Sequence, residues 1–121
     1  MKFAAFILNL PYTLVGMLLA ISTILKKITL NRQYLAIIFS TNSVWWFTKN
    51  ARALTIGHVV VLTKKQERND LEHELIHVQQ KIRQPFIQPL LYTIENLRHG
   101  YQNNKYEIEA YSKSNSRYYS K

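Results

Sequence analysis

The sequence predicts an α+β fold, on three observations. Residues 53 to 63 are rich in β-branched side chains, namely Thr55, Ile56, Val59, Val60, Val61 and Thr63, which suit a pleated, half-buried surface. Directly after them, Leu71, Leu75, Val78 and Ile82 recur at helical spacing and mark an amphipathic helix from about Glu67 or Asn69 to Arg83. The third stretch, Phe3 to Leu25, is mostly apolar and carries no charged residue, so as one helix it is long enough to cross a bilayer. A chain of 121 residues without internal repeats predicts one compact domain. The expected organisation is an amino-terminal hydrophobic, membrane-associated helix over 1–27, a folded domain over 28–113 and a poorly ordered tail over 114–121.

Composition narrows the chemistry. Cysteine is absent, which rules out a disulfide framework and a thiolate metal site, so a metal has to be held by His, Asp or Glu. The formal net charge is +9, from 16 basic and 7 acidic residues. Such an excess suits an anionic surface, whether headgroups or nucleic acid, as well as plain solubility. The basic residues are scattered in pairs such as Lys26-Lys27 and Lys64-Lys65, and no nucleic-acid motif accompanies them, so nucleic acid is not an expected partner.

Within the first element, Pro11 bends or starts a helix. The segment reads as a membrane anchor, as a helix lying in the interface or the protein's own core, or as a cleaved signal peptide with Ala20-Ile21-Ser22 as its small-residue site. For a spanning anchor, Lys26, Lys27 and Arg32 outweigh Lys2 in the flanks, which places the remaining domain on the cytoplasmic side. Next, Ile28-Thr29-Leu30 alternates briefly. Tyr34 to Thr41 contains the continuous run Leu35-Ala36-Ile37-Ile38-Phe39, which periodicity alone does not assign to strand or helix. Val44-Trp45-Trp46-Phe47 follows; on a strand the two tryptophans point to opposite faces, one to the core and one to an interface. Ala53 to Thr63 is expected as a single strand, with Gly57 marking a bulge or a close backbone approach.

Residues 73 to 77 read His-Glu-Leu-Ile-His. On a helix, positions i and i+4 share a face, so His73 and His77 can aim two imidazoles at one metal ion. Glu74 lies beside them, in reach of a proton on metal-activated water. Asn69 or Asp70 is the expected cap, and Pro85 ends the helix. A second helix is expected over Pro89 to Arg98, with Leu90, Ile94 and Leu97 on one face, then a turn-rich loop over 99–104 and a third helix from Lys105 to about Lys113. A catalytic zinc normally has three protein ligands. Glu107 and Glu109 on the third helix are the leading candidates for the remaining one, with Glu95, His58 and His99 as further possibilities.

His73-Glu74-Leu75-Ile76-His77 followed by Tyr106-Glu107-Ile108-Glu109-Ala110-Tyr111 resembles the gluzincin group of zinc metallopeptidases. There the H-E-x-x-H helix supplies two ligands and a later helix a glutamate, commonly in an E-x-x-A-D or E-x-x-S-D setting. The resemblance covers roughly residues 53 to 113 and implies a minimal, membrane-associated zincin-like domain. It implies that His73, His77 and Glu107 hold Zn2+ and that Glu74 is the catalytic base in hydrolysis of a peptide or protein substrate. Ala110 matches the small residue, whereas Tyr111 stands where the aspartate that orients a zinc-bound histidine is usual, so Glu109 or Glu72 is expected in that role. Tyr101, Tyr106 or His99 is expected to stabilise the oxyanion. The intact Glu74 argues against the two rivals, a non-catalytic zinc-binding domain and a basic membrane adaptor without metal.

Overall fold

The computed structural model describes residues 2–23, 25–42, 44 and 51–116. The Trp45-Trp46-Phe47 reading and the end of the tail lie outside them. Among the described residues the chain is α+β, with five helices and one mixed sheet. In order these are α1 (Lys2–Leu8), α2 (Leu10–Ile21), β1 (Leu25–Asn31), β2 (Ala36–Thr41), β3 (Ala53–Ile56), β4 (Val59–Leu62), α3 (Asp70–Arg83), α4 (Gln88–His99) and α5 (Lys105–Ser114). The strand order is β1-β2-β4-β3. β1 pairs antiparallel with β2, β2 parallel with β4, and β3 antiparallel with β4.

The side-chain alternation of the sheet gives it two apolar faces. Phe39, Val59 and Val61 point to one side, where Ala20 and Met17 of α2 cover them. Ala36, Ile38, Ala53, Val60 and Leu62 point to the other, where Val78, Leu71, Leu75 and Ile82 of α3 close the core. The stripe expected on the His-Glu-Leu-Ile-His helix is thus the one that packs. β4 is buried on both faces, as a central parallel partner is.

The hydrophobic segment differs from the single helix expected of it. It breaks at Asn9 into α1 and α2, bent by 71°, and no single helix among the described residues is long and apolar enough to cross a bilayer, although the pair together passes on length and composition. The cause is local. Pro11 in the first turn of α2 has no N–H to continue the ladder, and Asn9 spends its side chain on the protein body. Its amide donates to His58 Nε2 and to the Lys81 carbonyl, and its Oδ1 accepts from the Phe86 N–H.

The stretch 53–63, expected as one strand, is a hairpin. Gly57 has φ 59° and opens a two-residue turn, the position for which a type II′ turn selects glycine. It is also a close approach, because a Cβ there would lie 2.4 Å from the Thr13 nitrogen. α4 forms where expected, but its Leu90, Ile94 and Leu97 face is exposed. The run Ala36–Thr41 is a strand. At the carboxyl end, α5 includes Ser114, and Ser116 is buried, so ordered structure continues past the boundary expected at 113.

Candidate metal centre

α3 and α5 pack against each other, and the contact brings the polar face of α3 onto the first turn of α5. His73 and His77 lie one turn apart on α3; Glu107 is in the first turn of α5, where Asn104 caps the helix through a bond from Tyr106 N. The Nε2 atoms of His73 and His77 stand 3.0 and 3.1 Å from Glu107 Oε1, and 3.2 Å from each other. One ligand atom from each of the three residues lies within 4.8 Å of the other two. All three side chains are buried.

The outer nitrogens of both imidazoles are engaged. His77 Nδ1 is 2.8 Å from the Oε1 of Gln80, whose amide nitrogen donates to the Tyr106 carbonyl and to Glu109. Those two donations fix the Gln80 amide with its oxygen towards the ring, so Nδ1 carries the proton and the neutral ring turns a lone pair inward at Nε2. His73 Nδ1 lies 3.0 Å from the Ser116 hydroxyl, and the His73 ring packs at a tilt against Tyr111, 4.3 Å between centroids. Two imidazole Nε2 atoms and a carboxylate oxygen therefore converge on one point. A cation reconciles such a set, and its N,N,O chemistry fits Zn2+.

Electrostatics agree with this arrangement. Burial by itself would raise the Glu107 carboxyl pKa and lower that of His77. The hydrogen bonds and charge between them win in both cases, holding the carboxyl well below the usual carboxylate range and raising the imidazole. The Tyr92 hydroxyl donates to Glu107 Oε2, which leaves Oε1 to the histidines. Burial, then the Glu107 charge, pushes the Tyr92 and Tyr101 hydroxyls upward, so both remain proton donors at neutral pH.

Glu74 sits beside the centre, its Oε2 3.9 Å from His73 Nε2. Its Oε1 accepts a 2.7 Å bond from Thr55 Oγ1 of β3. Lys81, one turn beyond His77, is also buried. Desolvation lowers its ammonium to about 8 against the opposing pull of Glu74 and Glu107.

The other candidates lie elsewhere. Glu109 does not face the metal side but accepts from Gln80, Arg83 and Lys113, and Glu72 is exposed. The imidazoles are oriented by Gln80 and Ser116 instead of these two acids. Glu95 accepts from the Lys105 N–H, and His58 is buried against Asn9 with its Nδ1 on the Tyr34 and Leu35 carbonyls. His99 is exposed. Tyr106 turns its hydroxyl to Gln84, while the Tyr101 hydroxyl meets that of Tyr111 at 2.5 Å. Tyr92, Gln80, Ser116 and Thr55 complete the site without having been singled out from sequence. Only Gln80 carried a signal, three residues after His77 and so on the same helical face.

No family model matches the chain, and neither the curated proteins nor the solved structures contain a match.

Proposed function

We propose that this protein is a membrane-associated, zincin-like zinc metallopeptidase. One observation carries the reading: two imidazole nitrogens and a carboxylate oxygen converge beside a carboxylate, Glu74, that is not itself one of the three. His73, His77 and Glu107 hold Zn2+. The metal, when bound, lowers the pKa of water and polarises a scissile carbonyl. Glu74 takes the water proton and delivers it to the leaving amine, and Thr55 fixes which of its oxygens faces the centre. Among the described residues β3 is the outer strand of the sheet. An extended peptide that pairs beside Thr55 passes Glu74, which Thr55 holds. The Tyr92 hydroxyl, by donating to Glu107 Oε2, keeps Oε1 of that ligand turned to the histidines. α1 and α2 lie on the bilayer with their apolar residues, and the basic flanks favour the anionic cytoplasmic leaflet.

The burial of the centre favours a second reading, a non-catalytic zinc site in which Glu74 serves only as an acceptor for Thr55. Glu74→Gln separates the two. A metallopeptidase keeps about one zinc per chain and loses peptide hydrolysis by a factor of roughly 100 or more in that variant. An unchanged cleavage rate overturns the catalytic role.

A further inference from the structure

α4 is turned the opposite way from an ordinary surface helix. Ile87, Leu90, Ile94 and Leu97 recur at helical spacing just before and along it, and all are exposed, Leu97 to 83%. Its inward side holds polar groups: Gln88 is buried, Tyr92 donates to Glu107, Asn104 donates to the Tyr92 carbonyl, and Glu95 accepts from Lys105 N. An apolar helix face left outward calls for an apolar partner.

α1 and α2 show the same inversion. Their fully buried residues are Ala5, Asn9, Thr13, Gly16 and Ala20, small or polar, while Phe3, Ile7, Leu14 and Leu18 point out. Small residues at the packing interface and large ones outward is the arrangement of helices in lipid. The two surfaces join at the elbow between α1 and α2. Tyr12 donates to the Phe86 carbonyl at 2.9 Å, its ring lies 5.4 Å from that of Phe86, and Asn9 accepts from Phe86 N. Phe86 and Ile87 are themselves exposed and lead from the elbow into α4.

Charge selects the occupant. The first acid in the chain is Glu67, so α1, α2 and all four strands carry none. The single acid of α4, Glu95, is engaged with α5, while Arg98 and His99 stand exposed at its end. A surface with an apolar centre, basic margins and no outward acid fits an anionic bilayer.

We infer that the face of α4 from Ile87 to Leu97, with Phe86, is a second membrane-contact surface continuous with α1 and α2. It seats in the acyl-headgroup boundary of an anionic bilayer. The inference rests on the membrane association proposed above and deepens it, because α4 also carries Tyr92. The metal centre is then held at the lipid surface, and the substrate class is polypeptide at or emerging from that surface.

The chain has no cysteine, which allows single reporters in the full-length protein. Cysteines at Ile94, Leu97, Leu18 and, as a control, Glu72 are labelled with an environment-sensitive nitrobenzoxadiazole probe. Each variant is mixed with phosphatidylcholine vesicles containing phosphatidylglycerol, with and without doxyl-labelled lipid. The inference expects a several-fold rise in emission and quenching by doxyl lipid at 94 and 97 as well as at 18, with no response at 72. A response at 18 with none at 94 and 97 overturns the α4 surface and leaves the membrane association standing. No response at 18, 94 or 97 overturns both. Emission at 94 and 97 that rises with protein concentration in the absence of vesicles assigns the face to a second copy of the chain and also overturns the inference.

Discussion

Gln80 presents its amide oxygen to His77 Nδ1 at 2.8 Å while Glu109 holds its amide nitrogen at 2.8 Å. The acid expected to orient a zinc-bound histidine therefore acts at one remove, through a neutral side chain. Outer partners of this kind typically contribute 10- to 100-fold in metal affinity. Gln80→Leu should lower zinc affinity by about that factor in a competitive chelator titration; an affinity equal to the parent's would contradict the role of Gln80.

The pair His77 and Glu107 predicts how pH acts on the centre. Its direction follows from the imidazole being raised above its ordinary 6.5 by Glu107, despite burial. In the metal-free protein this pair adds stability that is fully present below pH 6.5 and is lost as pH rises through the raised value. Zinc must displace the same proton, so its affinity falls as pH drops through that value. Denaturant unfolding in chelator should show stability declining as pH rises above 6.5, and zinc titrations over the same range should show affinity rising. Parallel trends in the two series would contradict the assignment.

Much of the fold was legible because packing follows simple periodicities. Leu71, Leu75, Val78 and Ile82 predict both the helix and its buried face, and the valines of β4 predict a buried strand. Legibility failed where a polar side chain overrode local pattern. Asn9 ties the elbow to His58, Lys81 and Phe86, contacts distant in sequence that break an apparently continuous hydrophobic helix. The Leu90, Ile94 and Leu97 stripe marks a helix correctly but does not say whether water, protein or lipid lies against it. In the site, the ligand types and spacing of His73 and His77 were readable. The tertiary contacts of Tyr92 and Ser116 were not, because neither has a fixed offset from the histidines, and Ser116 falls in a stretch whose composition suggests a tail.

Arg52 and Asp70 form a buried two-pronged pair, with bonds of 2.9 and 2.6 Å, between the entry to β3 and the first turn of α3. Asp70 also accepts from Glu67 N and complements the helix dipole. Asp70→Asn removes the carboxylate charge facing the buried Arg52 guanidinium and should cost about 3–5 kcal/mol in denaturant unfolding, and the double change Arg52→Met with Asp70→Leu should recover part of that loss. Additive losses in the double variant would contradict the coupling.

Zinc content across a small set of variants tests the central claim most directly. Full-length protein and its His73→Ala, His77→Ala, Glu107→Ala and Glu109→Ala variants are loaded with zinc, dialysed and measured for bound metal against folded protein. The account predicts about one zinc per chain in the parent and in Glu109→Ala, with loss in the other three. Retention by Glu107→Ala with loss in Glu109→Ala, or no stoichiometric zinc in the folded parent, would contradict it.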